Sequence, residues 1–378
     1  MIEQEPSVCA ETLAQQRAMP ITRLLDGGMD YADAASLFQR TTAGERWDEV
    51  AEDVAARQFA RAAEARDAGF LVTAREAQAS GIACLVFAQM AFNFDVARKR
   101  SLYGSIRIAG QVLAQISDLA LERVVLPHAG SSLVGWLVQP RAQQSGACVV
   151  LFGGQSGWGL AYLPIARALA TRGIATLLAE GPGQGETRLE HRLYVDIDVP
   201  AAYQAFVAYL NQHRHFAPIG MWGNSFGGLW AAKTAALEPR IKACCINGCI
   251  AFPNILPFRM AAEQSRAMLG KDDDQAVQIN FDRMRWRPKE DRIRCPLLVL
   301  HGGNDRMIQL SDQQPFLDSA ETTDVTLRTW PDGEHTIYNH AAERTALVAD
   351  WFLQRLGHKR SSTTATPCPT PMHMVQSA

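Results

Sequence analysis

Ser225 is the residue whose neighbours point most directly to chemistry. It lies in the segment GMWGNSFGGLWAA, where Gly223, Ser225 and Gly227 form the pattern G-x-S-x-G. The apolar run before the serine is typical of a strand, and the run after it is typical of a helix. A strand that passes directly into a helix needs small residues beside the turn and presents the central hydroxyl outward. We therefore predict that Ser225 is a nucleophile, with a plain glycine turn as the alternative.

Asp305 and His335 supply the two further groups that a serine nucleophile needs. A serine hydroxyl reacts readily only when a base removes its proton, and an acid must orient that base. Asp305 follows a predicted strand in HGGNDRMI, and His335 follows the next strand in PDGEHTIYNH. Both residues are therefore expected at the same edge of the sheet as Ser225. The order serine, aspartate, histidine along the chain is that of an α/β-hydrolase triad.

Each of these assignments has an ordinary alternative. An aspartate after a strand often caps a helix, and a single histidine is often a packing or surface residue. Asp332 and Glu334 are alternative partners for His335, although neighbours in one tight loop rarely reach back to a ring nitrogen. His301, at the end of a strand, is interpreted as structural. The agreement of three residue types with three strand ends favours the triad.

An oxyanion hole is the next requirement of this chemistry. Each hydrogen-bond donor to the tetrahedral intermediate contributes roughly 10²–10³ in rate. One donor is predicted to be the amide of Phe226, directly after the serine, and the other to come from the loop FGGQSGWG after the third strand. In that loop either Gly154 or Gln155 donates. The same stretch, with Glu180 after the following strand, resembles a dinucleotide-binding unit but lacks the G-x-G-x-x-G spacing.

Eight short apolar runs after residue 121 predict the strands that position these residues. The first two are separated by a short turn, which predicts an antiparallel hairpin. The later runs alternate with helical stretches and are apolar throughout, as strands covered on both faces are. We predict an α/β fold with an eight-stranded, mostly parallel α/β-hydrolase sheet and an N-terminal all-helical cap domain. The runs are ERVVLP, SLVGWLVQP, ACVVLFGG, ATLLAEG, IGMWGNS, KACCING, CPLLVLHGG and VTLRTW.

The chain is predicted to divide into three regions. Residues 1–121 form the helical cap domain, residues 122–358 form the catalytic domain, and residues 359–378 form a polar, disordered tail. Residues 251–292 are an insertion between the sixth and seventh strands, placed to act as a lid over the strand ends. No fixed repeat period occurs in the cap, which disfavours a repeat protein.

Alanine-rich runs with helical spacing predict the helices of the cap. One helix is predicted to begin at a capping box, Thr42 to Glu45, and to end at Gly69. The segments VTAREAQASGIACLVFAQMAFN and VARKRSLYGSIRIAGQVLAQI predict two further helices with apolar stripes.

Composition and charge exclude several function classes. The chain has 378 residues, 47% hydrophobic and 20% charged, with a formal net charge of −2, which is typical of a globular protein with a sizeable core. No dense Lys/Arg stretch predicts a nucleic-acid or membrane partner. No apolar run approaches the roughly 18 residues of a membrane span. The N-terminus lacks the layout of a secretory signal, so a cytoplasmic location is expected.

The cysteines and the remaining motifs predict no cofactor. The eight cysteines show no zinc-ligand spacing and no disulfide framework is expected, so reduced thiols are predicted. No pattern predicts a metal or an organic cofactor. The expected partner is a small-molecule substrate, and the helical half offers a face for a homodimer.

The motifs taken together resemble a known family. LFGGQSGW, EGPGQGETR, GNSFGGLWAA, HGGNDRMI and DGEH, preceded by a helical half, resemble the α/β-hydrolases with an N-terminal helical cap. The resemblance covers most of residues 30–357, and GPGQGE is its most distinctive piece. Members similar to this sequence, among them polyketide-shortening hydrolases, cleave a carbon–carbon bond next to a ketone, and others are esterases.

The resemblance implies roles and a substrate class. Ser225, Asp305 and His335 would form the triad, and the cap and the insertion would close over the substrate. Some members also use an acidic residue of the cap, which we assign to no position here. The apolar insertion segment AFPNILPFRM, with Trp158 and Tyr162, predicts a mid-sized, partly aromatic or polyketide-like substrate, although residues of these types more often pack in a core than line a pocket. The expected reaction is cleavage of a 1,3-dicarbonyl or an ester; a carboxylesterase, thioesterase or acyltransferase would use the same triad.

Overall fold

The centre of the molecule is one eight-stranded sheet. The computed structural model describes residues 9–142 and 144–357, so the predicted tail, residues 359–378, lies outside the described residues. The strands are β1 Ala120–His128, β2 Ser131–Gln139, β3 Cys148–Phe152, β4 Ala175–Glu180, β5 Ile219–Asn224, β6 Ile241–Asn247, β7 Leu297–Gly302 and β8 Val325–Trp330.

The sheet begins antiparallel and continues parallel. Its strand order is β1-β2-β4-β3-β5-β6-β7-β8. β2 pairs antiparallel with both β1 and β4, and every other neighbouring pair is parallel. All eight apolar runs identified in the sequence form these strands. The predicted fold class, a mostly parallel α/β sheet preceded by helices, is confirmed.

Helices precede the sheet and connect its strands. Those before the sheet are α1 Ala10–Ala18, α2 Ile21–Asp26, α3 Tyr31–Thr42, α4 Trp47–Asp67, α5 Leu71–Gln89 and α6 Ala97–Ile116. Those between and after the strands are α7 Leu163–Ala170, α8 Gly185–Leu189, α9 Val199–Gln212, α10 Gly227–Leu237, α11 Arg259–Leu269, α12 Asp274–Met284, α13 Leu310–Asp318 and α14 Ala341–Leu356. Two 3₁₀ turns cover Gly159–Tyr162 and His335–His340.

Each face of the sheet is covered by helices. Because side chains alternate along a strand, Val149 and Leu151 of β3 enter one core while Val150 and Phe152 enter the other. The first core is continuous with the N-terminal helices and also takes in α7 and α14. The second core takes in α9, α10 and α12. Burial on both faces explains why the inner strands β3, β4, β5 and β7, buried at every position, are largely apolar in sequence.

The predicted capping box at Thr42 and Glu45 is wrong. Thr42 is the last residue of α3, and Gly44 follows with a φ of 103°, a conformation that ends the helix. Glu45 pairs with Arg40 on α3 instead of facing the start of α4. The new helix therefore begins at Trp47, and Gly69 lies just after its end with a φ of 82°, as predicted.

The insertion of residues 251–292 carries two helices, α11 and α12. Asp273 caps α12 by accepting a hydrogen bond from the amide of Ala276 at 2.8 Å. Ser265 of α11 accepts a hydrogen bond from the side chain of Gln155 at 2.7 Å, and Glu263 accepts one from Asn93 at 2.8 Å. The insertion thus contacts both the loop after β3 and the N-terminal helical region, which suits its predicted role as a lid.

Residues 9–142 and 144–357 contain neither a helix suited to cross a membrane nor a cluster of metal ligands. None of the helices there combines the length and the apolar character that crossing a membrane requires. The same residues contain no group of three or more histidine, cysteine, aspartate or glutamate side chains arranged to hold a metal ion. The cysteines in this part of the chain are free thiols, and most of them are buried.

Candidate active site

Ser225 lies at the sharp turn between β5 and α10. Its φ is 53°, in the left-handed region that residues other than glycine rarely occupy. The turn is held because the amide of Ser225 donates to the carbonyl of Asn247 on β6 at 2.8 Å. The carbonyl of Ser225 accepts from the amide of Gly228 at 2.8 Å. The backbone of the serine is thus fixed from both sides in a strained conformation.

The glycines around Ser225 are required by close backbone contacts. A Cβ on Gly223 would collide with the backbone of Gly227 and Gly228. A Cβ on Gly227 would collide with the carbonyl of Gly153 in the loop after β3. Only glycine lets strand, helix and loop approach so closely, which is the physical reason for the pattern seen in the sequence.

The structure brings Ser225, His335 and Asp305 together. Nε2 of His335 lies 2.8 Å from Oγ of Ser225, and Nδ1 of the same ring lies 2.7 Å from Oδ2 of Asp305. Both distances are those of hydrogen bonds. The side chain of Asp305 is fully buried, while that of His335 keeps 11% of its surface exposed. The imidazole therefore connects an enclosed carboxylate to the serine hydroxyl.

The carboxylate of Asp305 is held in its ionised form. Its Oδ1 accepts hydrogen bonds from the amides of Met307 at 2.8 Å and Ile308 at 3.1 Å. Burial by itself would raise the pKa of Asp305, but the imidazole of His335 and these two amides outweigh burial and lower that pKa below its ordinary value. An ionised carboxylate at Nδ1 keeps Nε2 free to accept the proton of the serine hydroxyl.

The alternative partners considered for His335 are engaged elsewhere. Oδ1 of Asp332 lies 2.9 Å from Nε2 of His340. Oε2 of Glu334 accepts a hydrogen bond from the hydroxyl of Thr22 in α2 at 2.6 Å. His301 is buried, and its Nδ1 lies 3.1 Å from Nε2 of Gln313.

Strained backbone after His335 fixes the position of the ring. Thr336 and Ile337 have φ values of 52° and 63°. The carbonyl of Thr336 accepts hydrogen bonds from Asn247 at 3.1 Å and from Arg344 at 2.9 Å. Asn247 is also the residue whose carbonyl holds Ser225, so one residue of β6 links the serine turn to the histidine loop.

The three amides predicted for the oxyanion hole lie in the loop after β3 and at the start of α10. A Cβ on Gly154 would lie 2.8 Å from the amide nitrogen of Phe226, so the loop after β3 passes directly beside the start of α10. Among the described residues, the amides of Gly154, Gln155 and Phe226 have no hydrogen-bond acceptor. Free amides at this point suit the predicted oxyanion hole, in which Gly154, Gln155 and Phe226 stay predictions.

The two predicted substrate contacts lie against the same loop. Trp158 is buried, donates from Nε1 to the carbonyl of Gly154 at 3.3 Å, and stacks with the cations of Lys99 and Arg188. Tyr162 is half-buried, and burial raises the pKa of its hydroxyl, which lies under Gly153. Both side chains support the loop, so their contact with substrate stays a prediction.

The sequence reasoning assigned no role to Gln184, which also contacts this loop. Its side-chain nitrogen donates to the carbonyls of Gly153 at 2.5 Å and Gly154 at 3.1 Å. The signal for it was the GPGQGE stretch, a glycine-rich turn with one amide side chain. A polar residue in so tight a turn after a buried strand must bond to something close by, and here the partner is the loop after β3.

Comparison with known proteins identifies the family to which this architecture corresponds. Residues 143–269 and 281–341, which include Ser225, Asp305 and His335, match the family Hydrolase_4, described as serine aminopeptidase, S33. The chain belongs to the α/β-hydrolases. This hydrolase is 26% identical over 340 residues to 2,6-dihydropseudooxynicotine hydrolase of Paenarthrobacter nicotinovorans, covering 87% of this chain and 90% of the relative.

Solved structures of other proteins share the fold. The crystal structure of 2,6-dihydroxy-pseudo-oxynicotine hydrolase superposes with a TM-score of 0.80 at 23% identity, covering 89% of this chain and 95% of that one. AbyA5 superposes with a TM-score of 0.62 at 18% identity, covering 80% of this chain and 88% of that one. The predicted resemblance to capped α/β-hydrolases is confirmed, and the α/β-hydrolase is an enzyme of the serine-hydrolase type.

Proposed function

We propose that this α/β-hydrolase cleaves a carbonyl substrate through an acyl-enzyme formed on Ser225. The observation that carries the proposal is the continuous hydrogen-bond chain from Oγ of Ser225 through His335 to the buried carboxylate of Asp305. The positive φ of Ser225 and the unpaired amides beside it support the same assignment. Together these groups provide a nucleophile, its base, an orienting acid and donors for an oxyanion.

In the proposed reaction, His335 accepts the proton of Ser225 as the serine oxygen attacks the substrate carbonyl. The amides of Phe226 and of Gly154 or Gln155 stabilise the resulting oxyanion. Asp305 stabilises the imidazolium that forms. The bond to the leaving group then breaks, and His335 donates its proton to that group. Water, activated by the same histidine, releases the acyl group as a carboxylic acid and restores the serine.

We propose a 1,3-dicarbonyl or related ketone as the substrate, cleaved at a carbon–carbon bond. The leaving carbon of such a compound departs as an enolate, which its second carbonyl stabilises, and His335 supplies the proton. The support is the likeness to 2,6-dihydropseudooxynicotine hydrolase over most of both chains and the resemblance to capped carbon–carbon bond hydrolases. An ester would follow the same steps with an alkoxide as the leaving group.

The elements around the triad support a mid-sized, enclosed substrate. Arg23 of α2 donates to the hydroxyl of Ser156 at 2.9 Å, and its guanidinium lies 5.5 Å from the ring centre of Tyr338, close to the histidine. From the other side, Ser265 of the insertion holds the side chain of Gln155. The N-terminal helices and the insertion therefore meet at the predicted oxyanion loop. A substrate in this site would be surrounded by both.

A substrate panel tests the proposal. Aryl esters, thioesters and 1,3-diketones with aromatic or polyketide-like substituents are incubated with the protein, and product masses show which bond is cleaved. We expect diketones to yield a carboxylic acid and a ketone, with turnover lowered roughly 10⁵–10⁶-fold in Ser225→Ala. Ester products alone would assign a carboxylesterase or thioesterase, and acyl products on an added amine or alcohol would assign a transferase. Substantial turnover by Ser225→Ala would overturn the proposed nucleophile.

A further inference from the structure

Gln184 lies in the turn between β4 and α8 and is completely buried. Its Nε2 donates to two consecutive carbonyls of the loop after β3, those of Gly153 and Gly154. Its Oε1 accepts from the amide of Gly181 at 3.1 Å and from the hydroxyl of Tyr203 at 3.2 Å. Because Oε1 faces only donors and Nε2 faces only acceptors, the orientation of this amide is determined by its neighbours.

The two contacts of Nε2 determine where the loop amides point. In a trans peptide the carbonyl and the N–H of one unit point in opposite directions. Holding the carbonyl of Gly153 toward Gln184 turns the N–H of Gly154 away from it. Holding the carbonyl of Gly154 toward Gln184 likewise turns the N–H of Gln155 away from Gln184. Gly154 also lies beside the amide of Phe226, the predicted first donor of the oxyanion hole, since a Cβ built on Gly154 would come within 2.8 Å of that nitrogen.

Glycine peptides need such support because they rotate with little steric cost. If either peptide flipped, a carbonyl oxygen would replace an N–H in the oxyanion hole and repel the developing negative charge. Trp158 adds a weaker contact to the carbonyl of Gly154, at 3.3 Å. Gln184 contacts both carbonyls at once through Nε2, and its Oε1 is held by the amide of Gly181 and the hydroxyl of Tyr203.

We infer that Gln184 is a positioning residue for the oxyanion hole. By holding the carbonyls of Gly153 and Gly154, it turns the N–H groups of Gly154 and Gln155 toward the substrate carbonyl. This inference rests on the proposed function of Ser225. It assigns the second side of the hole to the amides of Gly154 and Gln155 together. Gln184 itself is expected to touch neither the substrate nor the serine.

The Gln184→Met variant tests the inference, because methionine fills a similar volume and cannot donate to the carbonyls. The control is Gln78→Met, the same substitution at a buried glutamine of α5 whose Nε2 donates to the carbonyl of Ala109 in α6. We expect Gln184→Met to lower kcat roughly 10²–10³-fold while KM changes less than about threefold, since the lost contacts matter mainly in the transition state. Gln78→Met is expected to stay within about threefold of the starting protein in kcat.

Affinity for an aryl boronic acid provides a readout that a merely structural role would not move. A boronic acid forms a tetrahedral adduct with a serine and places an oxygen in the oxyanion hole. Its affinity is expected to fall in Gln184→Met by about the same factor as kcat. Thermal melting shows that the variant is folded at the assay temperature.

Two results would overturn the inference while leaving the proposed function in place. One is a folded Gln184→Met with kcat within threefold of the starting protein; the other is a fall in kcat without a fall in boronate affinity. If Gln184→Met does not fold, Gln184→Leu serves the same tests, because leucine is smaller and also lacks a donor for the two carbonyls. Failure of the proposed function is distinguishable, since the unmodified protein would then bind no boronate at Ser225.

Discussion

At the scale of single residues, the chemistry depends on how Asp305 orients His335. The carboxylate accepts from the ring at 2.7 Å and from two backbone amides, and it is fully buried. Replacing it with asparagine keeps the shape of the side chain. The asparagine amide would, however, present an N–H₂ group or a neutral oxygen to Nδ1 and favour the wrong tautomer of the ring.

We therefore predict that Asp305→Asn lowers kcat by about 10⁴-fold with little change in KM. Steady-state kinetics on the substrate found in the panel provide the measurement. The aspartate nearer to His335 in sequence is the control: Asp332→Asn, whose carboxylate contacts His340, is expected to change kcat less than about threefold. Equal losses in the two variants would contradict the assignment of Asp305 as the orienting acid.

The sequence allowed Ser225, Asp305 and His335 to be predicted as a set because each follows a strand of a parallel sheet. The carboxyl ends of such strands meet at one edge, so residues 80 or 110 positions apart are brought together. Nothing in the sequence excluded Asp332 or Glu334 as the partner of His335. Gln184 was not predicted because its function depends on a loop about 30 residues earlier, and no local pattern reports that contact.

At the scale of elements, helix α2 is attached to the histidine loop by a buried ion pair. Arg344 is 1% exposed and donates to both oxygens of Asp26, at 2.6 and 2.9 Å. The same guanidinium holds the carbonyl of Thr336, next to His335. Burial by itself would lower the pKa of Arg344, but Asp26 outweighs burial and raises it, so the guanidinium is charged.

We predict that Asp26→Asn destabilises the protein by about 3–5 kcal/mol, because it leaves a buried guanidinium without its counter-charge. The matched control is Asp53→Asn, which removes a pair with Arg40 whose side chains are 55% and 34% exposed. Its cost is expected to be below about 1 kcal/mol. Urea denaturation at neutral pH measures both. Similar small losses in the two variants would show that α2 is not held by this pair.

Glu180 connects β4 to the N-terminal helices. Its carboxyl group accepts hydrogen bonds from the hydroxyl of Tyr103 on α6 at 2.5 Å and from the amide of Glu186 at 2.6 Å. Burial raises the pKa of Glu180 to about 7, although these two hydrogen bonds act in the opposite direction. The folded protein therefore holds a proton that the unfolded chain releases at lower pH.

The sign of the resulting pH dependence follows from linkage. Between about pH 4.5 and 7 the folded state binds more protons at Glu180 than the unfolded state, so the free energy of unfolding falls as pH rises. The loss is on the order of 3 kcal/mol and is complete above pH 7. We predict that Glu180→Gln removes this part of the slope, measured by urea denaturation from pH 5 to 8. An unchanged slope in Glu180→Gln would contradict the prediction.

The elements themselves were largely predictable, because buried strands and long alanine-rich helices leave strong local patterns. The predicted capping box at Thr42 was wrong for a specific reason. Gly44 lies between two helices, and Thr42, which was predicted to start α4, is the last residue of α3. The attachment of α2 to the histidine loop was not predictable, since Asp26 and Arg344 are 318 residues apart and look like ordinary charged residues.

At the scale of the whole molecule, the N-terminal helices and the sheet share a core. Trp136 of β2 and Leu160 after β3 lie against Gly110 of α6, where a Cβ would come within 2.7–2.8 Å of both side chains. Most of the buried apolar residues of α4, α5 and α6 belong to the same cluster as those on one face of the sheet. Removing the N-terminal helices would expose part of that face to water, because α7 and α14 cover only the rest of it.

We predict that the protein unfolds in a single cooperative transition. Far-ultraviolet circular dichroism reports both helices and sheet, while tryptophan fluorescence reports chiefly the sheet and its contacts. The two signals are expected to give coincident urea midpoints, because neither part keeps its core without the other. Separated midpoints would show that the predicted cap, residues 1–121, and the predicted catalytic domain, residues 122–358, fold independently.

The most direct test of the account is to label the proposed nucleophile. A fluorophosphonate reacts with an activated serine, which displaces fluoride and leaves a phosphonyl group on the oxygen. Intact mass and peptide mapping are expected to show one adduct per chain, on Ser225, and none in Ser225→Ala. Labelling should also fall sharply in His335→Ala, because the serine then lacks its base. An unlabelled protein, or an adduct on any other residue, would contradict the assignment of Ser225 as the nucleophile.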